Sequence, residues 1–297
     1  MSKLLVLGSN GMLGRAVASL EIADFVTVEI NRQQNPIFES NEHLRIDSHL
    51  AGLEQYLQKN NVHYLVNCAG LIRQKIDEKN PVSRMQAIEA NFHIPLNLAA
   101  LSEKHNFKIL QIGTDCVYSG LKGGYVESDL HDALDLYGKS KSIGEIPHQN
   151  LAVLRSSIIG LEVNSCTSLL SWFLSQPSNS KIKGYLNHIW NGVTVFHFAK
   201  LIKGIIESEI VDEFLGVHHV VPANTISKES LLRVFAREFN RNDVTIESFS
   251  AGQGANMTLG TNDAKLNKIL WKSAGYEHPP TIEEMVVEYS LAIQLGG

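Results

Sequence analysis

Three glycines spaced three residues apart, directly after a short apolar run, constrain the fold of this chain most. The run Lys3–Leu7 predicts a buried parallel strand, and Gly8, Gly11 and Gly14 follow it. Gly8 permits a tight turn, Gly11 lets backbone approach a pyrophosphate, and Gly14 allows close helix–strand packing. A helix starting near Met12 would offer free amides and a partial positive charge to phosphates. An ordinary strand–helix turn is the alternative, but the preceding strand favours a nucleotide site.

Strand and helix patterns alternate over the first half of the chain. Apolar runs typical of strands occur at 3–7, 25–30, 63–67, 108–112 and 151–155, with a weaker run at 43–46. Helical spacing is clearest at 53–57, 87–101, 227–239 and 282–295. The alternation predicts right-handed βαβ units and an α/β fold, a Rossmann-type doubly wound parallel sheet.

The regular alternation loosens after Gly160. We predict a dinucleotide-binding domain at 1–160 and a smaller, mainly substrate-binding lobe at 161–297. Apolar patterning resumes within 191–222, so we expect part of this segment to return to the nucleotide domain and make the lobe discontinuous. His218 and His219 lie in an apolar run, which predicts strand residues and not metal ligands.

Composition excludes several classes of protein. The chain has 297 residues, 44% of them hydrophobic, and a net charge of −5, which argues against nucleic acid as the main partner. No apolar run reaches the ~18 residues of a membrane span, and no signal-peptide pattern opens the chain. Its three cysteines are widely spaced and suit a reducing cytoplasm, where we expect the protein: Cys68, Cys116 and Cys166. Twelve histidines lack metal-ligand spacing, so we expect no metal site.

A tyrosine and a lysine four residues apart carry the strongest chemical signal. On a helix, Tyr137 and Lys141 share one face, whereas Lys139 points elsewhere. A nearby cation favours a phenolate, so we expect Lys141 to lower the pKa of Tyr137 and make it a proton donor near neutral pH. Thr114 follows a predicted strand at its carboxyl end, where open α/β sheets bind ligands. Its hydroxyl can contact a substrate oxygen, or it can cap a turn.

Two asparagine-containing segments add weaker signals. Asn67-Cys-Ala-Gly70 ends another apolar run, and the small residues Ala69 and Gly70 would let a flat cofactor lie against the backbone, or mark a plain turn. Asn91 is a poor residue for a helix interior. It either forms hydrogen bonds near Lys141 or holds a local kink ahead of Pro95.

Four of these segments together resemble the extended short-chain dehydrogenase/reductase superfamily, and within it the dTDP-4-dehydrorhamnose reductase branch. They are the glycine loop, Asn67-Cys-Ala-Gly70, Thr114-Asp-Cys-Val-Tyr118 and Tyr137-Gly-Lys-Ser-Lys-Ser-Ile-Gly-Glu145. Further similarities are Glu127-Ser-Asp129, Arg155–Gly160 and Gly192-Val-Thr194. The resemblance is strongest across 1–160 and thin beyond residue 195.

The sequence also departs from that branch. Gly113 replaces the serine common before the threonine, and no proline follows Gly192. Position 116 is cysteine, where related sugar-nucleotide dehydratases carry a glutamate. Without that carboxylate, β-elimination lacks its usual acid/base, which disfavours dehydration.

The resemblance implies a reductase acting on a keto group, at C4, of a TDP- or UDP-linked deoxysugar. Tyr137 would donate a proton to the carbonyl oxygen, Lys141 would hold the nicotinamide ribose, and Thr114 would orient the carbonyl. Two alternatives share the fold: a non-catalytic NADP-binding regulatory subunit, like that of methionine adenosyltransferase, and a sugar-nucleotide epimerase with tightly held NAD. Degenerate members often lose these residues, and all three are present here, which favours an enzyme.

Cofactor preference depends on the end of the second strand. An acid there would take the ribose 2′-hydroxyl, whereas an arginine accommodates a 2′-phosphate. Asn31 and Arg32 come first after the apolar run and Glu29 lies inside it, so we expect NADP(H), with NAD(H) possible; Arg32 as a solvated turn residue is the alternative. Asp47 would contact the adenine amine or cap a helix. The expected cofactor-binding residues are Gly8, Asn10, Gly11, Met12, Leu13, Gly14, Asn31, Arg32, Asp47, Cys68, Ala69, Gly70, Asn91, Tyr137 and Lys141.

Residues 161–190 carry few strand or helix signals, which predicts a mobile loop region that orders over the nucleotide sugar. Its Trp172 would stack on the base or pack in the core of the lobe. The expected substrate-binding residues are Thr114, Asp115, Cys116, Tyr185, Asn187 and His188. We expect no nucleic-acid or membrane partner, and a homodimer is one possible assembly.

Overall fold

A parallel β-sheet covered by helices on both faces forms the body of the molecule. The computed structural model describes residues 2–31, 36–46, 50, 52–163 and 165–295. Within these residues no helix is both long enough and apolar enough to cross a bilayer. Arg32 and Asp47, two of the expected cofactor residues, lie outside the described part of the chain.

The helices and strands follow the chain in a βαβ pattern that becomes irregular after residue 155. The strands are β1 (Ser2–Leu7), β2 (Phe25–Asn31), β3 (Glu42–Arg45), β4 (Val62–Asn67), β5 (Lys108–Ile112), β6 (Leu151–Arg155), β7 (Ile158–Ile159), β8 (Lys181–Tyr185), β9 (His188–Trp190), β10 (Val193–Thr194), β11 (Gly216–His219), β12 (Ile226–Ser227), β13 (Thr245–Phe249) and β14 (Ala255–Asn256). The helices are α1 (Met12–Ala18), α2 (Leu53–Lys59), α3 (Pro81–Ile88), α4 (Ile94–His105), α5 (Leu136–Ile143), α6 (Leu169–Leu174), α7 (Val195–Glu207), α8 (Lys228–Glu238), α9 (Ala264–Ser273) and α10 (Ile282–Leu295).

The main sheet has the order β11-β6-β5-β4-β1-β2-β3 in the described residues, and its paired strands are parallel. This is a doubly wound Rossmann-type sheet, so the predicted fold class is confirmed. Leu7 pairs with Asn67, and Asn67 pairs with Gln111. The carboxyl ends of β1, β4 and β5 are therefore neighbours, which brings the loops after them to one edge of the sheet.

Strand β1 shows why the predicted strands are continuously apolar. Leu4 and Val6 belong to one buried core, with residues of α1 and α7, whereas Leu5 and Leu7 belong to a second core with residues of α2 and α4. Because successive side chains of a strand point to opposite faces, a sheet covered on both faces needs apolar residues at every position.

His218 and His219 lie in β11, which pairs with β6, so both are strand residues as expected. Strand β11 thus joins the main sheet although it lies far along the chain. The domain limits at residues 160 and 161 stay a prediction.

The prediction of a loop over 161–190 is wrong in its secondary structure. The segment contains α6, β8 and β9. Strand β8 is a poor local signal because Lys181 and Lys183 alternate with buried Ile182 and Gly184. Pairing with β13, more than sixty residues later in the chain, stabilises it.

Candidate active site

The glycine loop is shaped as its spacing predicts. Gly8 has φ +83°, and a Cβ at Gly14 would lie 2.1 Å from the Gly8 carbonyl oxygen, so neither position tolerates a side chain. Helix α1 begins at Met12, with Gly11 as an N-cap that has no side-chain hydrogen bond and no acid in the first turn. Its first amides are therefore available to a cofactor diphosphate. Asn10 and Gly11 are exposed, and Leu13 is buried.

The end of β2 holds an acid that is already engaged. Glu29 is fully buried, and its carboxylate accepts hydrogen bonds from the backbone N–H groups of Ile37 and Phe38 and from Asn41 Nδ2. It is therefore not placed to take a ribose hydroxyl. Asn31 Nδ2 donates a hydrogen bond of 2.8 Å to the hydroxyl of Ser9 in the glycine loop.

Tyr137 and Lys141 both lie on α5, beside the loop that follows β5. Lys141 is buried, and its Nζ donates a hydrogen bond of 2.7 Å to the carbonyl oxygen of Ile112, the last residue of β5. The Thr114 hydroxyl interacts with the Tyr137 phenol, and it also accepts a hydrogen bond of 3.2 Å from the backbone N–H of Cys116. Thr114 therefore caps a turn and also faces the tyrosine, and its contact with a substrate oxygen stays a prediction.

The expectation that Lys141 lowers the pKa of Tyr137 is wrong for this structure. Burial raises the pKa of Tyr137, and Lys141 is not among the groups that act on it most. Burial also lowers the pKa of Lys141. The reason is that both groups are withdrawn from water, which disfavours the charged form of each. Tyr137 is consequently held as a protonated phenol, the form that an acid catalyst needs.

The loop after β4 packs against the same helix. Asn67 Nδ2 donates to Gln111 Oε1 at 2.7 Å. Cys68 is partly buried, and burial raises its pKa to about 12, with the Lys141 charge acting in the opposite direction. A Cβ at Gly70 would lie 3.1 Å from Asn91 Oδ1, so this loop passes close to Asn91.

Asn91 combines the two roles that its sequence left open. It lies in a π-helical turn, Glu89–His93, between α3 and α4. Its side chain accepts from the N–H of Leu71 at 2.8 Å, and its Nδ2 donates to the Leu71 carbonyl and to the Ser140 hydroxyl. A π-turn is often retained at functional sites. Here it holds the β4 loop against the helix of Tyr137 and Lys141.

A buried polar network holds the far end of α5. The guanidinium of Arg155 pairs with the Glu145 carboxylate, with Nη2–Oε2 at 2.5 Å, and donates to the hydroxyl of Tyr118 and to Nε2 of His131 and His219. Burial lowers the pKa of both histidines, which therefore accept as neutral rings. Glu145 and Arg155 belong to the segments that resemble the family, whereas nothing in the sequence indicated that His131 and His219 pair with Arg155.

Gly113 has a steric explanation. A Cβ there would lie 2.7 Å from the Arg155 Cγ and 3.0 Å from the Val153 Cγ1. The position before Thr114 is consequently filled by the side chain of Arg155, and serine would clash.

Sequence reasoning missed two charged residues at this site. Arg73 Nη2 lies 2.6 Å from Asp135 Oδ2. Asp135 is the N-cap of α5 and accepts from the N–H of Gly138. Asp135 could have been found as an N-cap preceding a helical pattern, whereas Arg73 had no sequence signal.

The expected substrate residues fall into two groups. Asp115 is buried and Cys116 partly so, and burial raises the pKa of both. Tyr185 stacks on His188 with ring centroids 4.6 Å apart. Asn187 exchanges hydrogen bonds with the backbone of residue 251. The described contacts of this second group are within its own lobe, so its role toward a substrate stays a prediction.

Trp172 is not a core residue of the lobe. It lies on α6 with 37% of its surface exposed, and it is not part of the buried cluster that includes its neighbour Phe173. The alternative of core packing is therefore wrong, and stacking on a base stays a prediction.

Comparison with known proteins relates this geometry to one family. The family model described as "RmlD substrate binding domain" matches residues 2–293. The methionine adenosyltransferase 2 subunit beta of Mus musculus is 30% identical over 249 residues, covering 80% of this chain and 72% of that protein. The dTDP-4-dehydrorhamnose reductase of Aggregatibacter actinomycetemcomitans is 28% identical over 196 residues, covering 63% of this chain and 56% of that protein.

A solved structure shows the same fold at lower identity. The dTDP-4-dehydrorhamnose reductase of Bacillus anthracis, in complex with NADP, superposes with a TM-score of 0.72 at 19% identity. The match covers 98% of this chain and 100% of that chain.

Proposed function

This chain belongs to the RmlD substrate binding domain family, and on that premise we propose that it reduces a keto group, at C4, of a nucleotide-activated deoxysugar with NADPH. One observation carries the proposal. Tyr137 and the buried Lys141 lie on one helix beside the carboxyl end of β5, and the Thr114 hydroxyl that follows this strand interacts with the tyrosine. The similarity to a dTDP-4-dehydrorhamnose reductase supports a nucleotide-sugar substrate.

Each residue of this site has its own role in the proposed reduction. When bound, NADPH supplies the hydride that reduces the carbonyl carbon. Tyr137 donates its proton to the carbonyl oxygen, which becomes the product hydroxyl, and such positioned acid catalysis contributes roughly 10²–10⁴-fold. Thr114 orients the carbonyl through the hydroxyl that already faces Tyr137. Lys141, fixed on the carbonyl of Ile112, holds the nicotinamide ribose.

The glycine loop supports binding of the cofactor diphosphate, because the first amides of α1 have no side-chain cap. A preference for NAD(H) would need an acid that is free to bind the ribose 2′-hydroxyl. The carboxylate of Glu29 already accepts hydrogen bonds from the backbone, which supports NADP(H). NAD(H) remains the second cofactor to be compared. The Bacillus anthracis relative, whose structure contains NADP, agrees with this choice.

A screen of TDP- and UDP-linked 4-keto-6-deoxysugars tests the function directly. We expect NADPH absorbance to fall with one of them. Tyr137→Phe removes the proton donor but no cofactor contact beyond its hydroxyl, so turnover should drop by at least about 10²-fold while the Kd for NADPH changes little. An active Tyr137→Phe variant would remove the tyrosine from this role, and no turnover with any member of the panel would contradict the reductase.

A second candidate, a non-catalytic regulatory subunit, is favoured by the similarity to methionine adenosyltransferase 2 subunit beta. It predicts NADPH binding without turnover and a tight complex with a methionine adenosyltransferase. An epimerase would instead copurify with NAD and interconvert sugar nucleotides without consuming NADPH. The retained Thr114, Tyr137 and Lys141 support the reductase over the regulatory subunit.

A further inference from the structure

The carboxyl ends of β2 and β3 lie side by side in the main sheet. The two strands are parallel, and their register pairs Asn31, the last residue of β2, with Arg45, the last residue of β3. The backbone N–H of Ile46 continues this pairing with a hydrogen bond of 3.2 Å to the Asn31 carbonyl oxygen. Because paired strands lie about 4.8 Å apart, Arg45 is a direct neighbour of the position at which β2 ends.

The side chains of Asn31 and Arg45 start on the same face of the sheet. Ile30 belongs to the buried core that includes residues of α2 and α4, and Leu44 packs against that core. Since successive side chains of a strand point to opposite faces, Asn31 and Arg45 point to the other face, which α1 covers. The hydrogen bond from Asn31 to Ser9, in the loop that leads into α1, agrees with this direction. Arg45 therefore shares a face with the side chain that contacts the glycine loop.

Asn31 is held by hydrogen bonds on two sides. Its Nδ2 donates to the Ser9 hydroxyl at 2.8 Å, and its Oδ1 accepts from Nε2 of His43 at 3.1 Å. In a dinucleotide-binding βαβ unit, an acid near the end of the second strand takes the ribose 2′-hydroxyl. Here a neutral amide is fixed at the end of that strand. Asn31 therefore does not repel a 2′-phosphate as an acid would.

The guanidinium of Arg45 is available to a ligand. The residue is exposed at the end of β3, and within the described part of the chain its side chain makes no ion pair or hydrogen bond. Glu42, the acid of the same strand, pairs with Lys3 of β1 instead. A guanidinium binds phosphate oxygens through two parallel N–H groups, so arginine suits this anion well. A phosphate on the ribose 2′-oxygen beside Asn31 would meet this pair of donors on the neighbouring strand.

We propose that Arg45 determines a preference for NADP(H): its guanidinium binds the 2′-phosphate from β3, next to the amide of Asn31 that Ser9 and His43 hold in place. The inference deepens the proposed function and rests on its cofactor, because it assigns one group of NADP(H) to a residue outside the glycine loop and β2. It does not depend on which sugar is reduced.

Binding of NADPH and NADH to the full-length protein tests the assignment, because the two cofactors differ only in the 2′-phosphate. We expect Arg45→Met to raise the Kd for NADPH about tenfold or more, as for the loss of a charge-assisted hydrogen bond, and to leave the Kd for NADH unchanged. The unchanged NADH value shows in the same experiment that the variant is folded. Arg45→Lys keeps the charge but not the planar fork, so its Kd for NADPH should lie between the two.

Salt and a matched variant separate a phosphate contact from a general charge effect. The difference between wild type and Arg45→Met should shrink as the ionic strength rises, because the contact is exposed. Arg84→Met removes another exposed arginine, on α3, and should leave the ratio of the two Kd values unchanged. An equal change of that ratio in Arg84→Met and Arg45→Met would overturn the proposal.

Two further variants test the position of the 2′-phosphate. Asn31→Asp places an anion beside Arg45 and should weaken NADPH binding without weakening NADH binding. A Kd ratio that is unchanged in Asn31→Asp would place the 2′-phosphate elsewhere and sink the assignment. Arg32→Met tests the residue that follows β2, and a loss of NADPH binding in that variant alone would overturn the role of Arg45.

The binding readout also separates this inference from the proposed reaction. If no keto sugar nucleotide is reduced but Arg45→Met still loses affinity for NADPH alone, the reductase function fails and the assignment of Arg45 stands. If a sugar nucleotide is reduced with NADPH and Arg45→Met keeps the wild-type ratio of Kd values, the reductase stands and the role of Arg45 is refuted.

Discussion

His197 is a buried histidine whose titration we expect to set part of the acid stability of this protein. It lies in the first turn of α7 and is fully buried. A hydrogen bond of 2.7 Å joins Thr194 Oγ1 to its Nδ1, and its Nε2 lies 3.2 Å from Glu288 Oε2. Burial lowers its pKa from 6.5 to about 4, with Glu288 acting in the opposite direction and Lys200 in the same one.

The size and sign of the effect follow from that pKa. Below pH 6.5 the unfolded chain binds a proton at His197 that the folded protein does not bind. Unfolding therefore becomes more favourable as the pH falls. The loss ends near pH 4, where the folded ring also protonates. At about 1.4 kcal/mol per pH unit, the free energy of unfolding falls by about 3 kcal/mol over this pH range. Above pH 6.5 this contribution is fully present.

Urea unfolding of the wild type and of His197→Gln, at about pH 7 and about pH 4, isolates this group. Glutamine does not titrate, and the packing change of the substitution is common to both conditions. We therefore expect the stability advantage of the wild type to shrink by about 3 kcal/mol between them. His278→Gln, at an exposed histidine, is the control and should show no such change. A wild-type advantage that varies by less than about 1 kcal/mol would refute the reasoning.

Two further variants test the ion pair and the glycine loop. Glu145→Gln leaves the buried guanidinium of Arg155 without its carboxylate, so the free energy of unfolding should fall by about 3–5 kcal/mol in urea; a loss below about 1 kcal/mol would contradict a buried pair. Gly14→Ala puts a Cβ 2.1 Å from the Gly8 carbonyl oxygen, and the Kd for NADPH, measured by fluorescence, should rise at least about tenfold. Gly252→Ala, where a Cβ meets nothing within 4 Å, should leave that Kd unchanged, and equal values for the two variants would refute the loop's role.

The parallel sheet was predictable from the sequence because its signals are local. The apolar runs at 3–7, 108–112 and 151–155 correspond to β1, β5 and β6. A strand buried on both faces must be apolar at every position, and that pattern is visible within five residues. The turn at Gly8 is equally local, because a positive φ is readily adopted by glycine.

The second lobe was not predictable in the same way. Strand β8 carries two exposed lysines and pairs with β13 far along the chain. Helix α6 has only six residues, too few for a clear periodic pattern. Both β8 and α6 depend on contacts with segments that are distant in the sequence. Local periodicity does not reveal such contacts, so it did not predict these elements.

In the candidate active site, too, some features follow from the local sequence and others only from the tertiary structure. The sequence by itself determined that Tyr137 and Lys141 lie on one helix, because their spacing of four residues is a property of helical geometry. Only the tertiary structure decided how their pKa values shift, by burying Lys141, by partly burying Tyr137 and by bringing the Ile112 carbonyl to the lysine. It also brought in Arg73 from more than sixty residues away. A pKa depends on excluded water and on charges within a few ångströms, and both are set by parts of the chain that are remote in sequence.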